Sequence, residues 1–447
     1  MDDYRLIADA VAADIAAGRL RPGDRLATQR AFARQHGVAN STAGRVYREL
    51  VRRGLVVGEV GRGTFVRAAQ PSPGHALAEP AAAGTRIDLE LNYPVVAEQS
   101  GLLADSLGRL LRPDVLAASL RPVGAAGTAV ARDAAAALLA RPGWQPAPES
   151  VLFAGNGRQA IAAAVAALVP AGGRLGVESF TYPLVKSMAA RLGVTLVPLA
   201  TDEAGLRPDA LAAAHRSTPL GAVYVQPTLH NPLGATMPQW RRTELADVLR
   251  ACDLHAVEDT IWAFLHDGPP PLAALATERT ILVDSLSKRL APGLTVGLAV
   301  APASHAGPVA AALRSGAWTA TGFALEAATC WMADGTVAAI GSAKRRDAAD
   351  RQRIVRRHLE GFALRSDPYS YYCWWELPEP WRAETFVAAA ARRGIAVTPA
   401  AAFVVGSRSA PHAVRLGLAS PPPGTLANAL DTLAALARST PEDAAVD

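Results

Sequence analysis

Lysine is nearly missing from this sequence. Of its 45 Lys and Arg residues, only Lys186, Lys288 and Lys344 are lysines, so arginine fills almost every place where positive charge alone is needed. Guanidinium cannot supply an amine that sheds its proton and attacks a carbonyl. The few lysines, and Lys288 in ILVDSLSKRLAPGLTVG above all, are therefore candidates for chemistry. Cysteine is as scarce. Cys252, Cys330 and Cys373 are odd in number, far apart and set in apolar stretches, which points away from a disulfide framework or a metal cluster and leaves them as core or spectator residues. No stretch resembles a membrane span. The opening MDDYRLIADAVAADIAAGRL starts acidic and stays charged, unlike the basic-then-apolar layout of a secretory signal, and a cytoplasmic location is the expectation. A Rossmann fingerprint is absent too, because the GNG at 155–157 lacks a third glycine at the needed spacing.

At 447 residues the chain exceeds the size at which one core keeps growing, so two or more domains are expected. The formal charge of +5 is local: residues 1–67 hold twelve Arg against seven Asp and Glu, and the rest of the chain sums to zero. From Arg25 to Arg67 the bias sharpens to nine Arg against Glu49 and Glu59, the footprint of a phosphate-backbone binder.

YRLIADAVAADIAAG predicts a helix with Leu6, Ile7, Val11 and Ile15 on one face and a stop at Gly18. TQRAFARQHG predicts a second, capped by Thr28 and ended by Gly37. VANSTAGRVYRELVRRG predicts a third, capped near Asn40 or Ser41, ended by Gly54 and presenting Ser41, Thr42, Arg45, Tyr47 and Arg48. Two helices across a tight turn match a helix-turn-helix, and two short β-rich runs around Gly61-Arg62-Gly63 read as a wing.

Residues 4–67 resemble the winged helix-turn-helix of the GntR family of bacterial regulators, through G-R-L-R-P-G-D-R-L, Q-R-A-F-A, G-V-A-N-S-T and G-R-G-T-F-V in order. The resemblance implies that Arg30 and Tyr47 hold phosphates, that Ser41, Thr42 and Arg45, with Arg48 beside them, face the major groove, and that Arg62 reaches the minor groove. Asn40 stands where the family often has an arginine, which bears on sequence preference rather than on DNA binding.

AAQPSPGHALAEPAAAGTR is rich in Pro, Ala and Gly without periodicity, as in a tether. The expected division is a head at 1–67, a linker at 68–86 and a body at 87–447, its large part about 87–360 and its small part about 361–440. Beyond the linker, apolar runs such as SVLFAG, RLGVES, GAVYVQP and LHAVED alternate with helical patterns, which predicts a largely parallel sheet covered by helices. In such sheets ligands sit at the strand C-terminal ends, where Gly155-Asn156-Gly157-Arg158, Asn231-Pro232, Glu258-Asp259 and Ser285-Leu286-Ser287-Lys288 fall.

Pyridoxal 5′-phosphate needs an amine, a carboxylate for its ring nitrogen and a phosphate cup, and Lys288, Asp259 and the Gly157/Arg158 turn offer one of each. Residues 88–440 resemble the fold-type I aminotransferase domain through Q-P-T-L-H-N-P-L-G, V-E-D-T, S-L-S-K-R-L-A-P-G and V-R-L-G-L-A. Head followed by body resembles the MocR-type subgroup of GntR regulators. The resemblance implies Lys288 as the Schiff-base lysine, Asp259 on the ring nitrogen, Asn231 on the ring hydroxyl and Tyr182 stacked on the ring. It places Gly157, Arg158, Ser285 and Ser287 near the phosphate and Arg415 on an effector carboxylate.

Three positions depart from that pattern. Thr295 replaces the arginine that usually clamps the phosphate, SLRPVGAAG near residue 120 lacks a tyrosine, and Trp262 stands for the ring-hydroxyl tyrosine. A bidentate arginine contact is worth about a few kcal/mol, so cofactor affinity would fall by roughly one or two decades unless Arg158 or Arg289 substitutes. The expected protein is a homodimeric regulator that binds operator DNA and senses pyridoxal phosphate, with an amine or amino acid as possible effector. A ligand bridging Arg415 and the cofactor would act through closure of the small domain. An active aminotransferase with a DNA-binding head, and a regulator whose body has lost the cofactor, stay open as alternatives.

Overall fold

The computed structural model describes residues 3–16, 19–20, 23–52, 55–59, 63–66, 86–406, 410–441 and 443–445. The expected helix stops at Gly18 and Gly54, the wing tip with Arg62, and the linker but for its last residue lie outside the described residues.

The first unit is three helices, Asp3–Ala16, Gln29–Gln35 and Asn40–Arg52, followed by the antiparallel strands Val56–Glu59 and Gly63–Val66. Thr28 caps the second helix by accepting from the Ala31 N–H at 3.3 Å, and Gly37 follows it at φ +64°, a conformation glycine adopts freely. The third helix begins at Asn40, with the Ala43 N–H on the Ala39 carbonyl, so Asn40 and Ser41 lie in its first turn. Two side chains differ from expectation. Leu6 is exposed, and the first helix buries Ala8 and Val11, with Tyr4, Ile7 and Ile15 packed beside them; steps of three and four residues keep that set on one stripe, and Leu6 falls off its edge. Tyr47 points inward instead of toward DNA. It is 4% exposed, meets Phe32 edge to face at 5.2 Å, and its hydroxyl donates to the Ala27 carbonyl. The helix therefore turns Ser41, Arg45 and Arg48 outward while Tyr47 anchors it to the second helix and to the residue before that helix's cap.

The body is built on a seven-stranded sheet in the order Val151–Ala154, Gly297–Val300, Thr280–Ser285, His255–Asp259, Ala222–Val225, Arg174–Glu178, Thr195–Leu199. Only Gly297–Val300 runs antiparallel to its neighbours. These strands are apolar on both faces because helices cover both. One cover, Gly157–Leu168, buries Ala160, Ala163 and Ala164, whose small side chains let the helix lie close to the strands. Chain crossovers leave every parallel strand's C-terminal end on one edge, and the functional cavity opens there.

A second sheet has the order Ala363–Arg365, Tyr372–Glu376, Ala413–Gly417, Ile395–Pro399, Ile87–Leu89. Its core packs Trp375 edge to face on Phe386 at 5.4 Å, with Trp381 and Leu416 in the same cluster. Ile87–Leu89 pairs in parallel with Ile395–Val397, so the first residues after the linker belong to the small domain's sheet and not to the large part that begins at 87. Three residues are too few to announce a strand by pattern. Their placement carries Glu90–Tyr93 directly into the cavity. The head meets this domain, with Arg382 stacked 3.9 Å above the Phe65 ring.

Behind the cavity, the buried Arg242 donates to the carbonyls of Met237 (3.0 Å), Pro270 (3.0 Å) and Pro227 (3.1 Å) and to the Thr228 hydroxyl (2.8 Å). It thereby fixes both ends of the loop that carries Asn231. Replacing Arg242 with methionine strands these acceptors without water, and at about 1–3 kcal/mol for an unsatisfied buried group the expected loss is about 3 kcal/mol or more. Urea denaturation would read it, and an unchanged midpoint would contradict the role given to Arg242.

Candidate functional site

The cavity at the sheet's C-terminal edge has a volume of about 350 Å³ and is lined by every residue expected in the body's site: Gly157, Arg158, Tyr182, Asn231, Asp259, Ser285, Ser287, Lys288 and Arg415. They come from five strand ends of the large sheet and, for Arg415, from the small domain.

Lys288 sits in the four-residue helix Leu286–Arg289, too short to hold itself. Ser285 caps it by accepting from the Ser287 N–H at 3.3 Å. Lys344, wholly buried, reaches across from the long helix Thr336–His358 and donates to the carbonyls of Lys288 (3.0 Å) and Leu290. The Lys288 amine in turn donates to the Asn92 carbonyl at 2.5 Å and lies 4.7 Å from the Tyr93 ring and 5.2 Å from the Trp262 ring. Burial, with the positive charges of Arg158, Arg415 and Lys344, brings its pKa down to about 7. An amine so placed is substantially unprotonated near neutrality, the condition for attack on a carbonyl.

Across the cavity Asp259 is buried, and its carboxylate accepts from the Tyr224 hydroxyl at 2.6 Å and the Ile261 N–H at 3.0 Å. Burial raises its pKa to about 6, which a cationic ring nitrogen beside it would reverse. Asn231 receives support from Gln226, whose side-chain oxygen accepts the Asn231 N–H at 3.0 Å. Burial raises the Tyr182 hydroxyl's pKa, with Arg158 opposing.

The opposite end has the donors of an anion cradle. Asn156 caps the helix Gly157–Leu168 by accepting from the Gln159 N–H at 3.1 Å, and the open N-terminal amides and helix dipole face the cavity. A Cβ on Gly157 would stand 3.0 Å from the Ser285 hydroxyl, which itself lies 2.7 Å from the Ser287 hydroxyl. Thr295 Oγ1 is buried without a hydrogen-bond partner and lines the same cavity. Of the two arginines that could replace the missing clamp, Arg289 is engaged elsewhere: it donates to Asp284 at 2.7 Å and stacks 5.1 Å over Phe264. Arg158 faces the cavity. A phosphate at the Gly157–Ser285–Thr295 end, an aromatic ring nitrogen at Asp259 and an aldehyde at Lys288 fit this donor set, and the cofactor would be held there by these residues. Arg415, 5% exposed, donates to Thr398 at 3.2 Å, to Asn231 at 3.5 Å and to the Glu90 carbonyl.

Residues that the sequence reading did not single out also line the site: Glu90, Asn92, Tyr93, Gln226 and, behind Asp259, Tyr224. The Asn-Tyr-Pro that follows the short strand is the signal available in the sequence for Asn92 and Tyr93, and Tyr224 is hidden inside a strand that reads as core. In the head, Arg30, Ser41, Arg45 and Arg48 are exposed and Thr42 is half-buried. The three cysteines are free, with Cys373 buried, and no metal-binding cluster occurs among the described residues.

This fold and cavity define an aminotransferase body carrying a winged helix-turn-helix head. The chain belongs to the aminotransferase class I and II family, which matches residues 123–433, and residues 3–66 match the bacterial regulatory proteins of the gntR family, together the MocR-type architecture. It is 29% identical over 420 residues to the HTH-type transcriptional regulator YdeF of Bacillus subtilis, covering 94% of this chain and 90% of that one. It is 28% identical over 308 residues to the HTH-type pyridoxine biosynthesis transcriptional regulator PdxR of Corynebacterium glutamicum, covering 65% and 64%. Among solved structures, a kynurenine aminotransferase of Pyrococcus horikoshii superposes with a TM-score of 0.72 at 19% identity, over 80% of this chain and 91% of that one.

The depressed Lys288 pKa has a consequence for stability. Between about 7 and the ordinary 10.5, the unfolded chain binds a proton that the folded protein does not, so this group's contribution to stability rises with pH across that window. A Lys288→Met variant, measured without cofactor by thermal unfolding, should be more stable than the parent below pH 7, with the advantage shrinking toward pH 10. An advantage independent of pH would contradict the burial of this amine.

Proposed function

We propose that the protein is a homodimeric, DNA-binding transcriptional regulator whose aminotransferase-like body senses pyridoxal phosphate together with an amine or amino acid. The observation that carries the reading is the juxtaposition of the depressed Lys288 amine with buried Asp259 in one cavity, in a chain whose first helices turn Arg45 and Arg48 outward. The cofactor, when bound, supplies an aldehyde that condenses with amines. The protein's part is to present the Lys288 amine unprotonated, to orient the ring through Asp259 and Tyr182, to hold the phosphate through the Gly157–Arg158 turn with Ser285 and Ser287, and to dock a carboxylate on Arg415. Trp262, packed at 5.8 Å on Tyr372, walls the site where a ring-hydroxyl tyrosine would otherwise stand. A ligand tying Arg415 to the large domain favours closure of the small domain, and the Arg382 contact with Phe65 is a route from that closure to the head. Residues 1–67 would form the head and 68–86 the tether, and Arg62 at the wing tip would reach the minor groove.

The dimer is supported by an uncovered apolar face: Leu111, Leu116, Leu120 and Phe323 are exposed, and Gly322, next to Phe323, packs on the carbonyl of Ser119, next to Leu120. Such a patch on a chain this size calls for a partner surface, and two heads would read repeated or palindromic half-sites. The YdeF and PdxR likenesses support regulation of transcription. No helix among the described residues is long and apolar enough to cross a membrane, in keeping with a cytoplasmic regulator. The same set of residues suits a working aminotransferase, and turnover of amino donors with a keto-acid acceptor separates the two.

Visible absorbance during titration with pyridoxal phosphate tests the sensor. A band bleached by borohydride and lacking in Lys288→Ala is expected; its absence at saturating cofactor leaves a regulator whose body has lost the cofactor. In the same titration Thr295→Arg should tighten binding by roughly one to two decades, and Arg158→Ala should weaken it. Gel-shift on the protein's own upstream DNA tests the head. Binding should weaken as salt rises and fall about tenfold or more in Arg45→Ala, and no binding at low salt would sink the regulator.

A further inference from the structure

Six charged residues line the cavity, and the side chains of five of them have a partner or a task. Asp259 is held by Tyr224 and Ile261, Asp284 by Arg289 and the Ser285 N–H, and Lys288 by the Asn92 carbonyl. Arg415 is fastened by Thr398 and the Glu90 carbonyl, and Arg158 stands at the anion cradle. Glu90 is different. Its backbone N–H donates to Asp88 at 2.7 Å and its carbonyl serves Arg415, but among the described residues its carboxylate has no hydrogen bond and no ion pair. Burial raises its pKa, the neighbouring Asp88 charge adds to the rise, and Arg86 and Arg415 oppose it only in part.

The cost of a half-buried carboxylate without a partner falls if a ligand brings the cation. The surroundings specify where on the ligand that cation sits. In the same cavity the Asn92 Nδ2 and the Arg415 Nε are buried with no acceptor, a donor set for a carboxylate, and the Lys288 amine beside Asn92 marks where the α-amine would sit. Glu90 adjoins the Arg415 head through its own carbonyl, so its side chain is available to the part of an amino acid that extends past the α-carbon. A plain aliphatic side chain would leave the carboxylate buried and unpaired, and an acidic one would repel it.

We infer that the effector is an amino acid with a second, cationic group on its side chain, and that Glu90 is the residue that selects it. The inference rests on the amino-acid-sensing reading above. Its chemistry asks only for exchange of amines at the cofactor's aldehyde and a charge-assisted pairing at Glu90.

The test uses the full-length protein with pyridoxal phosphate, ornithine and lysine against the uncharged analogues norvaline and norleucine, and two readouts, the visible band and calorimetric binding. The cationic amino acids are expected to bind at least about tenfold more tightly than their analogues, and Glu90→Gln is expected to erase that gap while keeping the band, with norvaline bound no more weakly than by the parent. A band with equal affinity for both classes, or a gap that survives Glu90→Gln, overturns the inference and leaves the sensor standing. No band, with calorimetry still finding a Glu90-dependent preference, keeps the inference and overturns the cofactor reading. No band and no preference overturns both.

Discussion

The structure turns on how a four-residue helix is held still. Leu286–Arg289 is too short to be stable by its own hydrogen bonds, and its last carbonyls would be orphaned in a dry interior. The Lys344 amine, donating to the Lys288 and Leu290 carbonyls, satisfies them from a helix far along the chain. The helix bearing Lys344 is itself pinned, because the Tyr371 hydroxyl donates to the Lys344 carbonyl and to Asp347 at 2.8 and 2.9 Å, and Asp347 accepts from Arg351 at 2.7 Å. Small domain, long helix and the turn that carries Lys288 are thus one connected structure.

The same economy explains why lysine is so rare. All three lysines donate to backbone carbonyls: Lys186 to Ala402 and Val404, Lys344 to Lys288 and Leu290, and Lys288 to Asn92. A slender amine can enter a pocket of carbonyls that a planar guanidinium cannot fill without leaving N–H groups unpaired. Burial lowers the pKa of each. Two of them serve packing, so scarcity alone does not distinguish a reactive lysine from a structural one. What sets Lys288 apart is that its surroundings open into a cavity with Asp259 opposite.

Much of this was legible in the sequence because motifs at strand ends are short, contiguous and tied to a strand-helix rhythm. Lys288, Asp259, Asn231, Gly157 and Arg415 lie far apart in the chain and line one cavity. The illegible parts have physical reasons. Tyr47 lies in a helix whose face toward DNA and face toward the core both accept an aromatic ring, and only the position of the Ala27 carbonyl and Phe32 decides between them. Arg289 and Arg158 look interchangeable as spare charges until Asp284 claims one of them. The strand Ile87–Leu89 is three residues long and finds its partner more than three hundred residues later, so no local pattern encodes it.

That last pairing has the widest reach. Because Ile87–Leu89 is the edge strand of the small domain's sheet, Glu90, Asn92 and Tyr93 enter the cavity from the same body that carries Arg415. The carbonyl of Glu90 holds Arg415, and the carbonyl of Asn92 holds the Lys288 amine. One extended segment therefore couples the Arg415 guanidinium to the Lys288 amine. This segment follows directly on the strand Ile87–Leu89, so the place of that strand in the small domain's sheet sets where Glu90 and Asn92 meet Arg415 and Lys288.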